Sequence, residues 1–212
     1  IRAVEFDVRQ LKDHELIIMH DDNMLRTTGI DQALYPLSST QLDSYNQAHI
    51  WLDWEKQSTP TLRQALQIMQ DFEHLEVEVK AVQTQAEAER LTQHLTQQLR
   101  GFEHSAVITS FDLKILQALQ DQHSTFKRGL LIEDDIQHLA IEQALKYDCC
   151  QIGWMNQLAT DDLLKATQQA NLAISVWTVN DIERAKHLRD CGIDGLITDF
   201  PKMMLQHLID VH

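Results

Sequence analysis

Short β-branched runs alternate with helix-length stretches along almost the whole chain, and this alternation restricts the folds open to it more than any other feature. Ala3–Val8, Leu75–Lys80, Ala106–Ser110, Arg128–Ile132, Cys149–Gly153, Leu172–Val179 and Gly195–Thr198 read as strands. Thr61–Asp71, Gln85–Leu99, Leu113–Gln122, Asp135–Lys146, Thr160–Gln169 and Asp181–Asp190 read as the helices between them, and Lys202–Ile209 as a closing helix. Strands separated by helices imply parallel pairing, because a parallel crossover needs a dozen or more residues. A doubly wound open sheet is the main competitor, but the glycine-rich dinucleotide fingerprint is absent. The chain opens Ile1-Arg2-Ala3 and enters a strand at once, so a further strand and helix are expected upstream. Together they would complete a barrel of the size this architecture takes, about 250 residues. The expected fold is therefore α/β: a (β/α)₈ TIM-type barrel lacking its first strand and helix. Residues 1–212 are expected to form one domain, N-terminally incomplete.

One segment breaks the alternation. Leu16–His20 is a second apolar run only a few residues after Val8, too close for a parallel crossover, so an antiparallel hairpin is expected. A turn at Asp13-His14 would pair Lys12 with Glu15 and set His20 directly across from Asp7.

The period of two along strands then sorts the faces. Val4, Phe6 and Val8 point towards the helices, which sends Glu5, Asp7 and Arg9 towards the barrel axis. Leu75, Val77 and Val79 pack likewise, leaving Glu76, Glu78 and Lys80 on the inner face. Carboxylates turned into a barrel are costly unless paired or bound to a cation. Glu5, Asp7 and Glu78 form an all-oxygen, anionic set suited to Mg²⁺ or Ca²⁺ and less to Zn²⁺. Salt bridges to Lys80 and Arg9 explain the same pattern equally well, and spacing alone leaves both readings open. His20 ends the hairpin strand beside the acids, where a protonated imidazole would be favoured and could act as a general acid. It is one of eleven histidines, and an ordinary solvated side chain is the competing reading. Trp177 and Phe111 sit near strand C-termini, as core residues or as walls of a ligand site. Asp199 is either a supporting acid or a cap for the last helix.

The formal net charge of −14 argues against a general nucleic-acid binder, which needs a basic surface, but not against a small anionic substrate at a bound cation. No apolar run approaches the length of a membrane span. Three cysteines, two of them adjacent at Cys149 and Cys150, do not make a disulfide framework, and reduced thiols favour a cytoplasmic protein.

Val4-Glu5-Phe6-Asp7-Val8, Lys12-Asp13, Ile18-Met19-His20-Asp21 and Leu25-Arg26-Thr27-Thr28 resemble the signature of the glycerophosphodiester phosphodiesterase family. Later landmarks follow in order: Pro60-Thr61-Leu62, Val77-Glu78-Val79-Lys80, Ser110-Phe111, Val176-Trp177-Thr178-Val179-Asn180 and Asp194-Gly195-Leu196-Ile197-Thr198-Asp199-Phe200-Pro201. Each is weak alone; the ordered set is specific and spans nearly the whole chain. The resemblance implies metal-dependent hydrolysis of glycerophosphodiesters to glycerol 3-phosphate and an alcohol. It implies that Glu5, Asp7 and Glu78 hold the divalent cation, Mg²⁺ or Ca²⁺, and that His20 is one of two catalytic histidines. It further implies that Lys80 contacts the phosphate, and that Phe111 and Trp177 bind the rest of the substrate. The other histidine belongs to a His-Arg-Gly motif on the first strand, upstream of Ile1. Asp13-His14 departs from the family's usual Asp-Gly, which touches turn geometry. Two alternatives remain: a lysophospholipase D acting on phospholipids, which should carry an apolar rim that is not evident in the sequence, and a non-catalytic metal-binding barrel. The aromatic residues Tyr35, Tyr45, Trp51 and Trp54, between Thr28 and Pro60, are expected to enclose a small head group.

Overall fold

The computed structural model describes residues 2–208. Its strands are β1 (Ala3–Gln10), β2 (Leu16–Ile18), β3 (His74–Val79), β4 (Ala106–Ser110), β5 (Lys127–Ile132), β6 (Gln151–Met155), β7 (Ala173–Trp177) and β8 (Gly195–Leu196). Its helices are α1 (Leu25–Thr28), α2 (Ser39–Leu42), α3 (Leu62–Ile68), α4 (Gln85–Gln98), α5 (Leu113–Asp121), α6 (Leu139–Lys146), α7 (Asp161–Gln169), α8 (Ile182–Asp190) and α9 (Pro201–Leu208). The elements expected within the chain are all present, β4 at its expected bounds and the others with one or both ends shifted; of the closing helix, Ile209 lies outside the described residues. Starts fall where side chains can satisfy the free N–H groups of a first turn. Thr61 Oγ1 accepts from Gln64 N at 3.2 Å while Gln64 Oε1 accepts from Thr61 N at 2.9 Å, a reciprocal cap on α3. Thr160 caps α7 in the simpler way.

The strands form one eight-stranded sheet in the order β2-β1-β3-β4-β5-β6-β7-β8, parallel throughout except for the antiparallel β1–β2 hairpin. The expectation of a barrel needs correcting. β2 and β8 are the two edges, no described strand joins them, and the sheet is an open, curled half-barrel. Closure requires every strand to have two neighbours. β2 covers only the C-terminal part of β1, from Val8 to Gln10, and β8 is two residues long and pairs only with β7.

The hairpin register also differs from expectation by one residue. Val8 pairs with Ile18, Arg9 with Ile17 and Gln10 with Leu16, and Leu11 N donates to Glu15 O at 2.9 Å. The loop is therefore three residues, Lys12-Asp13-His14, with His14 in the left-handed region at φ 66°. A two-residue turn of the favoured type needs positive φ at both central residues, which Asp-His supports poorly; a third residue limits that conformation to one position. Met19, not His20, lies opposite Asp7, and Met19 N donates to Asp7 O at 3.0 Å. His20 leaves the ladder altogether and approaches the acids from the loop.

The apolar strand faces pack outward as the period of two requires. Phe6, Val8, Val77 and Val79 meet Leu91 and Leu95 of α4 and Ile115 of α5 in one core cluster, and β5–β7 meet α6–α9 in a second. A third, smaller cluster, with Leu11, Ile17, Met19, Met24, Leu34, Leu37 and Leu42, anchors the long segment after β2 over the C-terminal end of β1. Ser39 N and Oγ both donate to Asp13 Oδ2, tying that segment to the hairpin loop.

Candidate active site

Parallel pairing of β1 with β3 sets Glu5 beside Glu76 and Asp7 beside Glu78. Two layers of like charge thus stack on the inner face of the sheet, and the structure treats them differently. In the lower layer Glu76 alone is held by hydrogen bonds. Gln151 Nε2 donates to Glu76 Oε1 at 2.9 Å, Ser175 Oγ donates to the same oxygen at 2.9 Å, and Gln151 Nε2 also reaches Ser175 Oγ at 3.1 Å. In the upper layer Lys80 Nζ lies 2.6 Å from Asp7 Oδ1 and also contacts Glu78 Oε1.

Glu5 has no such neutraliser. Its Oε1 is buried, and among the described residues nothing donates to it. Burial, reinforced by the charges of Asp7, Glu78 and Glu76, pushes its carboxyl up to about 8 from an ordinary 4.5. Burial also raises Glu78, partly offset by its hydrogen bond to Lys80. Oxygens of Glu5, Asp7 and Glu78 all lie within 4.8 Å of one another. The salt-bridge reading is thus realised for two of the acids, which Lys80 serves, and the third is left needing a positive charge. An orphaned carboxylate oxygen in an all-oxygen donor set fits a hard divalent cation. Arg9 does not serve these acids directly; its Nε and Nη2 both donate to His20 O, at 3.0 and 2.8 Å.

That contact holds the His20 backbone at the rim. The His20 side chain is largely exposed, with Nδ1 2.7 Å from Asp21 Oδ1. Arg26 Nε donates to Asp21 Oδ2 at 2.6 Å, and this hydrogen bond holds the Asp21 carboxyl below its ordinary range. Arg26, Asp21 and His20 form a chain that orients the ring through Nδ1, while Nε2 has no hydrogen-bond partner among the described residues. Sequence reasoning noted His-Asp as a motif but gave Asp21 and Arg26 no part. Adjacency to the histidine was the available signal.

Glu5, Asp7, Glu78, Lys80, His20, Phe111 and Trp177 line one cavity of about 950 Å³ at the C-terminal ends of the strands. These seven side chains, named from the sequence as metal, catalytic and substrate-binding candidates, are thus brought to one place. Trp177 Nε1 donates to Gly153 O at 3.1 Å, and Phe111 meets Trp177 edge-on with ring centroids 5.4 Å apart, so the two form a single aromatic wall. Asp199 accepts from Asn180 Nδ2 at 2.7 Å and links the ends of β7 and β8, a supporting contact. His14 and Glu133 also line the cavity and were not anticipated; Glu133 immediately follows β5, a position that a strand-end rule would have flagged. Of the four aromatics expected to enclose a head group, only Tyr35 lines the cavity. Tyr45 packs against the small third cluster, and Trp51 and Trp54 are exposed. No helix among the described residues is long and apolar enough to cross a membrane.

A curled parallel sheet whose C-terminal rim carries converging carboxylates, a lysine and an oriented histidine is the arrangement of an α/β enzyme acting on an anionic substrate. The chain belongs to the glycerophosphoryl diester phosphodiesterase family, whose model matches residues 1–203. It is 22% identical over 207 residues to a glycerophosphodiester phosphodiesterase of Caldanaerobacter subterraneus, covering 96% of this chain and 84% of the relative. It is 27% identical over 185 residues to the MG293 protein of Mycoplasma genitalium, covering 84% and 75%. Its fold matches that of an Oleispira antarctica phosphodiesterase solved with the product sn-glycerol-3-phosphate, at a TM-score of 0.86 and 20% identity over 98% of this chain and 85% of that one. A glycerophosphodiester phosphodiesterase of Agrobacterium tumefaciens matches with a TM-score of 0.77 and 22% identity, over 97% and 87%.

Proposed function

We propose that this chain hydrolyses glycerophosphodiesters to glycerol 3-phosphate and an alcohol in the cavity above Glu5, Asp7 and Glu78. One observation carries the reading. Within a member of this family, a buried carboxylate oxygen without a donor shares a cavity with a lysine and an oriented imidazole. The product complex of the Oleispira antarctica relative supports the choice of substrate class.

Glu5, Asp7 and Glu78 would hold a divalent cation, Mg²⁺ or Ca²⁺, since hard ions prefer oxygen donors. When bound, it supplies positive charge against the phosphate's non-bridging oxygens. Lys80 gives the protein's own charge to the same phosphate, and as a point charge it tolerates the change of geometry at phosphorus. Water oxygen adds to phosphorus as the bond to the head-group oxygen breaks. His20, fixed through Nδ1, moves one proton at Nε2, either from the attacking water or to the departing alcohol. The resemblance assigns the complementary proton transfer to a His-Arg-Gly motif, which does not occur in the 212 residues. Phe111 and Trp177 wall the cavity beside the glycerol or leaving group.

A second reading, a lysophospholipid as substrate, is favoured by one observation. Ile50, Trp51, Leu52 and Trp54 are exposed in a single loop, Leu52 at 94%, and would offer apolar surface to an acyl chain, though none of the four lines the cavity. Release of glycerol 3-phosphate from glycerophosphocholine, with and without a chelator and with Mg²⁺ or Ca²⁺ restored, tests the first reading. Lysophosphatidylcholine in parallel tests the second. No turnover of either, with cation bound, would leave only a binding protein.

A further inference from the structure

A second cluster of ligand-type side chains lies away from the cavity, on the outer helices. Asp161 is the first residue of α7, His187 lies in the last turn of α8, and Cys191 follows α8 directly. His187 and Cys191 are four residues apart, so they share one helix face, and packing of α8 beside α7 brings Asp161 to the same point. His187 Nε2 lies 2.7 Å from Asp161 Oδ1 and 3.6 Å from Cys191 Sγ, and Sγ lies 3.9 Å from Asp161 Oδ1.

A single ring nitrogen faces both a carboxylate and a thiol. Nε2 has one site, either a proton to give or a lone pair to accept with, so it serves only one of the two well. The arrangement is also not a nucleophile-activating relay, in which the acid would hold the opposite ring nitrogen from the thiol. All three atoms converge on one point instead. Tetrahedral zinc with ordinary bond lengths separates N and O ligands by about 3.3 Å, and S from either by about 3.5 Å. The two sulfur distances are within about 0.4 Å of that, and only the N–O pair must open, by about 0.6 Å.

We propose that Asp161, His187 and Cys191 form a surface site for a borderline divalent metal, Zn²⁺ above all, with water as the fourth ligand. The mixed S, N and O donor set separates it chemically from the all-oxygen cluster of Glu5, Asp7 and Glu78. Binding releases the Cys191 thiol proton to solvent, the neutral His187 ring carries its remaining proton on Nδ1 so that Nε2 can ligate, and no redox step is involved. The metal ties the start of α7 to the end of α8, the helices that flank β7, which carries Trp177. Arg184, the α8 cation whose charge acts on Cys191, is engaged with Asn156 Oδ1 and Ala159 O, at 2.9 and 2.6 Å, and leaves the site to the metal.

Co²⁺ is the discriminating probe, because only a thiolate ligand produces an intense near-ultraviolet sulfur-to-cobalt charge-transfer band. Titration of the purified protein should raise that band to saturation at one equivalent beyond any Co²⁺ taken by the oxygen cluster. Cys191→Ser should abolish it, and His187→Ala should weaken Co²⁺ binding at least tenfold. Zn²⁺ should slow alkylation of Cys191 in the unmutated protein at least tenfold while leaving Cys150 unaffected. Absence of the band, its survival in Cys191→Ser, or alkylation of Cys191 at the same rate with and without Zn²⁺ would each overturn the proposal. The outcome does not depend on turnover at the catalytic cavity.

Discussion

Replacing Glu5 with Gln should stabilise the metal-free protein and abolish its stabilisation by divalent cations. The sign follows from linkage. In the fold the Glu5 carboxyl titrates at about 8, against 4.5 when free. Below pH 4.5 both folded and unfolded chains carry the proton and Glu5 exerts no pH-dependent effect. Between 4.5 and 8 the folded chain retains a proton that the unfolded chain has released, so stability falls as pH rises, by about 1.4 kcal/mol per unit. The loss amounts to about 3 kcal/mol at pH 7 and about 5 above pH 8, where it levels off. Gln keeps the shape, cannot ionise, and has an amide able to donate to Asp7 or Glu78. Urea unfolding in a chelator should therefore find the variant about 3–5 kcal/mol more stable than the parent near pH 9, with the two converging near pH 5. Adding Mg²⁺ or Ca²⁺ should raise the parent strongly and the variant little. If the variant is less stable than its parent near pH 9 in chelator, or if both show the same pH slope, Glu5 is not the uncompensated acid.

Glu78→Gln should weaken divalent-ion binding with little change in fold, as read by titration with Mg²⁺ and Ca²⁺; unchanged affinity would remove Glu78 from the site. His20→Ala should lower turnover of glycerophosphocholine by about 10²–10⁴-fold while leaving the unfolding midpoint nearly unmoved, because the side chain is exposed. Lys80→Met strands Asp7 and Glu78 and should cost about 3–5 kcal/mol in chelator, as expected for breaking a buried ion pair, with partial recovery when a divalent cation is added. Gly153→Ala places a Cβ 2.5 Å from Leu131 Cδ2 and 3.1 Å from Ser175 Oγ, and should cost about 1–3 kcal/mol in urea unfolding. Because Gly153 O anchors the Trp177 indole, the same variant should raise KM for the diester.

The direction of each inner-face side chain was legible in the chain itself. A strand's period of two is a local property, so the apolar run Val4, Phe6 and Val8 was enough to turn Glu5 and Asp7 inward, and Val77 and Val79 did the same for Glu78 and Lys80. The alternation of strands and helices likewise implied a parallel sheet. That in turn put Phe111 and Trp177 at the same C-terminal rim, where they meet edge to face. The chemistry of the donors, all oxygen, needed no structure either.

Whatever depends on distance between elements was decided by the tertiary structure. The hairpin slipped one residue from expectation because the loop took three residues to confine positive φ to His14, and no pattern of hydrophobicity registers that choice. The open edges of the sheet depend on which strands find partners. Four acids that look alike in sequence differ because Lys80 reaches Asp7 and Glu78 and stops short of Glu5, while Gln151 and Ser175 donate hydrogen bonds to Glu76 from strands far along the chain. Asp161, His187 and Cys191 meet only because two helices pack side by side, and 26 residues separate the first from the second. Periodicity fixes where a side chain points relative to its own backbone; what it meets there is set by the packing of elements whose spacing in sequence carries no such information.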